Sequence, residues 1–138
     1  TPPNISGNTH ELMSTYTSSE YRTDCRELAE SIFEECIEAD LEATPDELRE
    51  ALQESLWESV DSHESVIYTW RAQLVVAHSP NDDYALTEFG PESVLLDDGG
   101  VNWSAMAHGA MYADVSEHLW PLYEEWEEAY SSTEEVSA

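Results

Sequence analysis

Apolar side chains between residues 19 and 39 recur at the spacing of an α-helix. In the stretch SSEYRTDCRELAESIFEECIEAD they are mostly three or four positions apart, so they share one helix face. Ser18 or Ser19 is the expected N-cap. The pattern predicts a long first helix that buries one face. That face contains Tyr21, Cys25, Leu28, Ala29, Ile32, Phe33, Cys36 and Ile37.

A clear start signal for a second helix follows at Thr44-Pro45-Asp46-Glu47. Thr44 has the side chain of an N-cap, Pro45 suits the first helical position, and Glu47 stands where a capping box requires an acid. The helix should end near Asp61 or Ser62, with Trp57 on its flank. Its predicted buried positions are Leu48, Leu52, Leu56 and Val60.

The segment SHESVIYTWRAQLVVAH is also predicted to be helical. VIYTW alone would suit a strand, but the run is long and contains Arg71-Ala72-Gln73, which favours a helix. As one continuous helix it would bury Val66, Ile67, Trp70, Leu74 and Val75.

Turn signals separate this segment from the last helix. Residues 79–83 form a predicted turn, and residues 84–89 a short helical turn that Gly90-Pro91 closes. Residues 92–101 are expected to form an irregular loop or a minor strand, the strand lying around residues 94–96.

The last predicted helix begins at Asn102 or Ser104. Pro121 should kink or restart it, because proline cannot donate the helical hydrogen bond. The stretch LYEEWEEAY then forms an acidic, aromatic final turn. The side chains expected to point inward are Met106, Ala110, Ala113, Leu119 and Trp120.

Together these elements predict an all-α bundle of four or five helices. The length of 138 residues suits one core. Residues 19–130 form the predicted domain, between a flexible arm at 1–18 and a flexible tail at 131–138. Leu, Ile, Val and Phe make up just under a fifth of the chain, which is typical of disorder, but five Trp, seven Tyr and the helical periodicity favour a folded domain.

Charge changes the picture more than any motif. The chain has 31 Asp and Glu, 4 Arg and no Lys, for a net charge of −27. Such a protein repels nucleic acids and anionic membranes, so direct binding to either is not expected. The sequence contains no apolar run of membrane-spanning length and no recognisable signal peptide, which predicts a cytoplasmic protein. If a phage encodes it, the expected location is the cytoplasm of the host cell.

The candidate chemistry of the chain is sparse. Cys25 and Cys36 lie about 16 Å apart along one helix, too far for a disulfide, and indicate buried thiols in a reducing compartment. Five His and many carboxylates raise the question of a metal site. His63 lacks a second His at ligand spacing, however, and His108, Asp114 and His118 form no compact ligand set. We expect no metal and no cofactor, with His63 and His118 at helix ends or partly buried and hydrogen-bonded to neighbours.

Catalytic motifs are also missing from the sequence. It has no GxSxG, no P-loop and no GxGxxG, and neither cysteine has an activating base beside it. A non-enzymatic function is therefore expected. An enzyme whose catalytic groups converge from distant positions is the alternative.

Acidic rows are the informative feature. In the first helix acids recur every three or four residues, with almost no basic residue between them. Like charges at this spacing cost a helix about 0.2–0.5 kcal/mol per pair, so the pattern needs a reason outside local stability. The first-helix row is Glu20, Asp24, Glu27, Glu30, Glu34 and Glu38. The second-helix row is Asp46, Glu47, Glu50, Glu54, Glu58 and Asp61.

Two or three such rows on adjacent helices would imitate the phosphate charges of a DNA duplex. The expected partner is a basic DNA- or RNA-binding protein, such as a restriction or CRISPR nuclease. Trp57, Trp126 and Tyr130 are the expected exposed aromatic anchors. A homodimer is compatible with the sequence.

Two other interpretations stay open. Adaptation to high internal salt explains the absence of lysine, although Glu outnumbers Asp by 22 to 9, whereas a salt-adapted surface is expected to favour Asp. An acidic scaffold or chaperone for a basic protein would share the electrostatics without a duplex-like shape.

The acidic, helical character resembles the DNA-mimic proteins with which phages and mobile elements inhibit restriction and CRISPR systems. This resemblance implies a non-enzymatic inhibitor that occupies the basic nucleic-acid-binding surface of a defence nuclease. Separately, residues 58–82, ESVDSHESVIYTWRAQLVVAHSPND, are similar to segments of small uncharacterised proteins of bacteria, phages and plasmids. That second resemblance implies no activity.

Overall fold

The computed structural model describes the backbone of residues 16–137 and the side chains of residues 16–132. Within this range the predicted all-α bundle is confirmed. Two short helices bring the number of α-helices to six, rather than four or five. They are α1 Ser18–Ala39, α2 Pro45–Asp61, α3 Glu64–Ile67, α4 Thr69–His78, α5 Tyr84–Phe89 and α6 Trp103–Ser137, with a 3-10 turn at Pro91–Ser93.

The N-cap of α1 lies one residue before the earlier of the two predicted caps, Ser18 and Ser19. Thr17 is its N-cap, and the Thr17 side chain accepts a hydrogen bond from the Glu20 N–H at 3.1 Å. Tyr16 is buried and packs edge-on against Tyr21, with ring centroids 6.3 Å apart. The predicted arm at 1–18 was therefore too long, because Tyr16 belongs to the core. Residues 1–15 lie outside the described part of the chain.

Helix α2 confirms the capping box. The Thr44 hydroxyl accepts from the Glu47 N–H at 3.3 Å, and the Glu47 carboxylate accepts from the Thr44 N–H at 3.0 Å. The predicted inward residues are all fully buried, so the four-residue spacing located the core face correctly. They are Leu48, Leu52, Leu56 and Val60.

The segment after Ser62 is helical as predicted, but it forms two helices rather than one continuous helix. Tyr68 has an extended backbone, with φ −92° and ψ 118°, and divides the segment into α3 and α4. Val66 and Val75 are buried as predicted, but Ile67 and Trp70 are exposed. The break changes the rotation of the chain, so apolar spacing no longer follows one face across it.

Residues 90–102 form the irregular loop, not the strand. A single antiparallel bridge joins Leu95 to Val101, and the described residues form no strand. Val94 is fully buried and holds the loop against the domain. The short helical turn predicted at 84–89 is confirmed as α5.

Helix α6 is longer than expected. Asn102 accepts a hydrogen bond from the Ala105 N–H at 3.2 Å, which supports the predicted start. The helix continues through Pro121, whose ring is exposed, and its backbone reaches Ser137, past the boundary predicted at residue 130. Ala138 lies outside the described residues.

The core lies between α1, α2 and α6, and α4 and α5 pack against α6. Ala110 and Leu119 of α6 are buried as predicted, whereas Met106, Ala113 and Trp120 are only half-buried. The residues 40–44 between α1 and α2 make these helices antiparallel neighbours. The other buried apolar side chains described in α6 are Ala107, Met111, Val115 and Tyr123.

Candidate partner-binding surface

The acids of α2 occupy the face opposite its buried row. At about 100° of rotation per residue, their mean direction is roughly opposite that of the four buried residues. All of them are exposed, so none packs into the core. They are Asp46, Glu47, Glu50, Glu54, Glu58 and Asp61.

The acids of α1 follow the same geometry, with one correction. Glu20 is exposed like the row members, but Asp24 is half-buried and ion-paired with Arg71, with Oδ2 3.0 Å from Nη2. Asp24 turns toward α4 rather than toward solvent, so it leaves the row. The exposed members predicted to bind a partner are Glu27, Glu30, Glu34 and Glu38.

These ten carboxylates of the two rows are named the acidic surface. The rows lie on adjacent antiparallel helices: Leu28, Ser31 and Glu35 of α1 line one groove with Ser59 and Ser62 of α2. Within each row the charges are about 5–6 Å apart along the axis. This spacing compares with one phosphate about every 3.4 Å along each strand of duplex DNA.

Little positive charge offsets the acidic surface. Arg26 pairs with Glu30 at 3.6 Å, but both side chains are more than half exposed, and such pairs contribute little. The Asp61 carboxylate lies 4.0 Å from Nδ1 of His108. Glu47 is held in its charged form by Thr44, since the capping hydrogen bonds lower the pKa of that carboxyl. Among the described residues, no other member of the surface lies within 4.0 Å of a basic group.

Acidity also extends beyond this surface. Helix α6 carries exposed carboxylates near its C-terminal end, and the loops on either side of α5 carry four exposed aspartates. The two rows are therefore one part of an acidic exterior. These further acids include Glu124, Glu125, Glu127, Glu128, Asp82, Asp83, Asp97 and Asp98.

Of the three predicted aromatic anchors, only Trp57 is exposed. Its exposed fraction is 43%, and it shares a groove with Glu50, Gln53, Glu54 and Glu58.

The other two predicted anchors are not exposed. Trp126 is half-buried against the core, where it stacks between Tyr123 and Tyr130 at 6.1 and 5.2 Å. Tyr130 is also half-buried. The prediction that they are exposed was wrong because their burial depends on the packing of α6 against α2. Helical spacing within α6 does not reveal that packing.

Sequence reasoning missed a buried polar cluster around Asp114. Its carboxylate accepts hydrogen bonds from the hydroxyls of Tyr21 and Ser79 and from the Asn81 side chain. The donors lie 33 to 93 residues away along the chain. No spacing signal could have found them, because only packing of α1 and α4 on α6 brings these groups together.

A second cluster that the sequence did not reveal surrounds Arg71. Its guanidinium lies 4.1 Å from the centroid of the Tyr16 ring and donates to Asp24, Ser65 and Glu64. The Tyr16 hydroxyl donates to Asp24 at 2.7 Å. This cluster joins the start of α1 to α3 and α4 and uses one of the four cations.

His63 and the two cysteines show no sign of catalytic or metal-binding chemistry. Nδ1 of His63 caps α3 by accepting from the Ser65 N–H at 3.0 Å, as expected for a helix-end histidine, whereas His118 is exposed. Burial raises the pKa of the Cys25 thiol to about 12 and also raises that of Cys36, so neither is an activated nucleophile. Across the described residues, no three His, Cys, Asp or Glu side chains are grouped to hold a metal.

Comparisons with protein-family models, with curated proteins and with solved structures found no match for this chain. Its interpretation therefore depends on its own residues.

None of the helices in the described part of the chain combines the length and the apolar character needed to span a bilayer.

Proposed function

We propose that this protein is a non-enzymatic DNA mimic that occupies the basic nucleic-acid-binding surface of another protein, such as a restriction or CRISPR nuclease. The observation that carries the proposal is the acidic surface: ten exposed carboxylates on the outward faces of two adjacent helices. The helices fix the spacing of these carboxylates before binding. Less conformational entropy is therefore lost when a partner makes charge contacts with them.

Energetics support a role for this surface in binding. Repelling acids at three- and four-residue spacing cost each helix stability, and within the rows only Glu30 has an arginine partner. A surface under selection for solubility alone would mix both signs of charge. The missing cations would be supplied by the Lys and Arg residues of a DNA-binding groove, which also speed association at low salt.

The first test measures inhibition of DNA cleavage by a restriction nuclease and by a Cas9-type nuclease. Charge reversal of Glu50, Glu54 and Glu58 to Lys should abolish inhibition. The matched control reverses Glu124, Glu125 and Glu128 on α6, which changes the net charge equally. Inhibition by wild type should weaken steeply as salt rises and should be relieved by excess duplex DNA.

Equal loss in both triple variants would contradict the proposal, because net charge rather than the acidic surface would then explain the effect. Inhibition that survives the α2 reversal would contradict it as well. An acidic scaffold or chaperone would bind basic proteins without being displaced by duplex DNA, so the competition experiment separates the two.

Salt adaptation is the second candidate, and the exposed acids on α6 and the loops favour it. Thermal melts discriminate the two directly. A salt-adapted protein needs molar salt to fold, whereas the proposed mimic is folded and melts cooperatively in dilute buffer. Folding only above about 1 M salt would make the acidic exterior an adaptation to its solvent.

A further inference from the structure

The Trp57 ring belongs to an exposed apolar patch that borders the acidic surface. Its centroid is 6.0 Å from that of Phe89 on α5, 5.5 Å from Tyr112 and 4.3 Å from His108 on α6. Phe89 is 49% exposed and Leu86 is 36% exposed. We name Trp57, Leu86 and Phe89 the Trp57 patch. Three helices hold it in place.

Carboxylates border the Trp57 patch on its α2 side. Glu50, Glu54 and Glu58 line the groove that contains Trp57, and Asp61 follows one turn later. The chain's own cations are engaged elsewhere. Arg22 bonds Ser18, Arg26 pairs with Glu30, Arg49 lies over Trp120, and Arg71 lies over Tyr16.

The Arg71 cluster shows what this combination of groups can hold. There a guanidinium lies 4.1 Å from an aromatic ring centroid and donates to a carboxylate oxygen at 3.0 Å. The Trp57 patch also offers an aromatic ring beside carboxylates. His108 lies against this ring, with the centroids 4.3 Å apart, but 43% of Trp57 is exposed and open to a partner's guanidinium.

We propose that the Trp57 patch binds an arginine side chain of the basic partner. Trp is the strongest ring for cation–π contact, and a planar guanidinium can lie on the ring while it donates to Glu54 or Glu58. A lysine ammonium keeps the charge but loses the stacking and the forked hydrogen bonds. This inference rests on the proposed function and specifies the chemistry of its partner.

The test compares nona-arginine with nona-lysine, two peptides of equal charge, by titration calorimetry at low salt. Wild type should bind nona-arginine about two- to five-fold more tightly, the range expected for an exposed cation–π contact. Trp57→Leu should remove this preference and keep the charge-driven binding of both peptides. Trp70→Leu is the matched control, because Trp70 is also exposed but its groove already contains Arg71.

A measurement on the wild-type chain removes the dependence on folding of the variants. The indole N–H resonance of Trp57, assigned with Trp57→Phe, should shift with nona-arginine and shift less with nona-lysine. Equal affinities for the two peptides in wild type, or an unmoved Trp57 resonance, would overturn the arginine site.

Failure of the proposed function would look different. Glu50, Glu54 and Glu58 changed to Gln should weaken binding of both peptides more than Glu124, Glu125 and Glu128 changed to Gln. If the two triple variants behave alike, the acidic surface is not the binding face and the proposed function fails. The arginine preference of wild type and its loss in Trp57→Leu still decide the Trp57 site.

Discussion

The Asp114 carboxylate of α6 accepts a hydrogen bond from the Tyr21 hydroxyl of α1 inside the core. Ser79 and Asn81, which follow α4, donate to the same carboxylate at 2.6 Å each. Asp114 is only 5% exposed. One buried carboxylate therefore connects three parts of the chain through three donors.

Replacing Asp114 with Ala should destabilise the protein by about 2–5 kcal/mol, because it leaves buried donors without an acceptor. Tyr21→Phe removes one donor and should cost about 1–2 kcal/mol. Urea unfolding monitored by circular dichroism measures both. Glu125→Ala, an exposed acid on the same helix, is the control and should change the free energy of unfolding by less than about 0.5 kcal/mol. An equal effect of the Asp114 and Glu125 changes would mean that the buried cluster contributes no more to stability than an exposed acid.

His108 should make the protein less stable as pH falls. Burial lowers the pKa of His108 below its ordinary value of 6.5, although Asp61 and a backbone hydrogen bond to Trp57 partly oppose this. The unfolded chain therefore takes up the proton first, and the free energy of unfolding decreases as pH drops through about 6.5. The free energy of unfolding of the His108→Gln variant should decrease less than that of wild type between pH 7 and pH 5.

The measured quantity is the difference in free energy of unfolding between variant and wild type at each pH, from urea melts, because this difference cancels the contribution of other titrating groups. His118→Gln removes an exposed histidine from the same helix and should track the wild-type curve. If His108→Gln tracks it as well, burial of His108 does not affect stability.

Gly109 permits the close approach of α5 to α6. A Cβ at this position would lie 2.7 Å from Ala85 Cβ and 2.9 Å from the Ala85 nitrogen. Alanine usually stabilises a helix interior by about 1 kcal/mol relative to glycine, but here α5 must move. We expect Gly109→Ala to lower the free energy of unfolding by about 1–3 kcal/mol. Adding Ala85→Gly should recover part of this loss, and a Gly109→Ala variant as stable as wild type would contradict the packing.

Arg71 should stabilise the fold through its shape as well as its charge. Arg71→Lys keeps the charge but cannot reach Asp24, Ser65 and Glu64 together, so we expect a loss of about 1–2 kcal/mol. Arg71→Met leaves Asp24 without its cation and should cost more. Chemical denaturation measures both, with exposed Arg22→Lys as the control. An Arg71→Lys variant as stable as wild type would show that the guanidinium geometry is unimportant.

Local signals predicted much of the fold. The four-residue spacing of leucines and valine in α2 and the Thr44–Glu47 capping box depend on contacts within one turn, and both were correct. The same reasoning failed at Tyr68, where an extended residue ends one helix before the next begins. Apolar content alone could not reveal that break.

The exposed acids of α1 and α2 were also predictable, because a helix that buries one face exposes the opposite one. Asp24 was the exception, since its ion pair depends on Arg71, 47 residues further along the chain. Trp126 was misplaced for a related reason: its burial depends on how the C-terminal half of α6 packs.

The sequence by itself determined the helices, the caps and the outward direction of the acidic rows, because these follow from interactions between residues three or four positions apart. Tertiary structure alone decided that Tyr21 meets Asp114, that Arg71 lies over Tyr16 and that His108 lies under Trp57. Such contacts join residues about 50 to 90 positions apart. They exist only because burial of the apolar faces fixes the helices against one another.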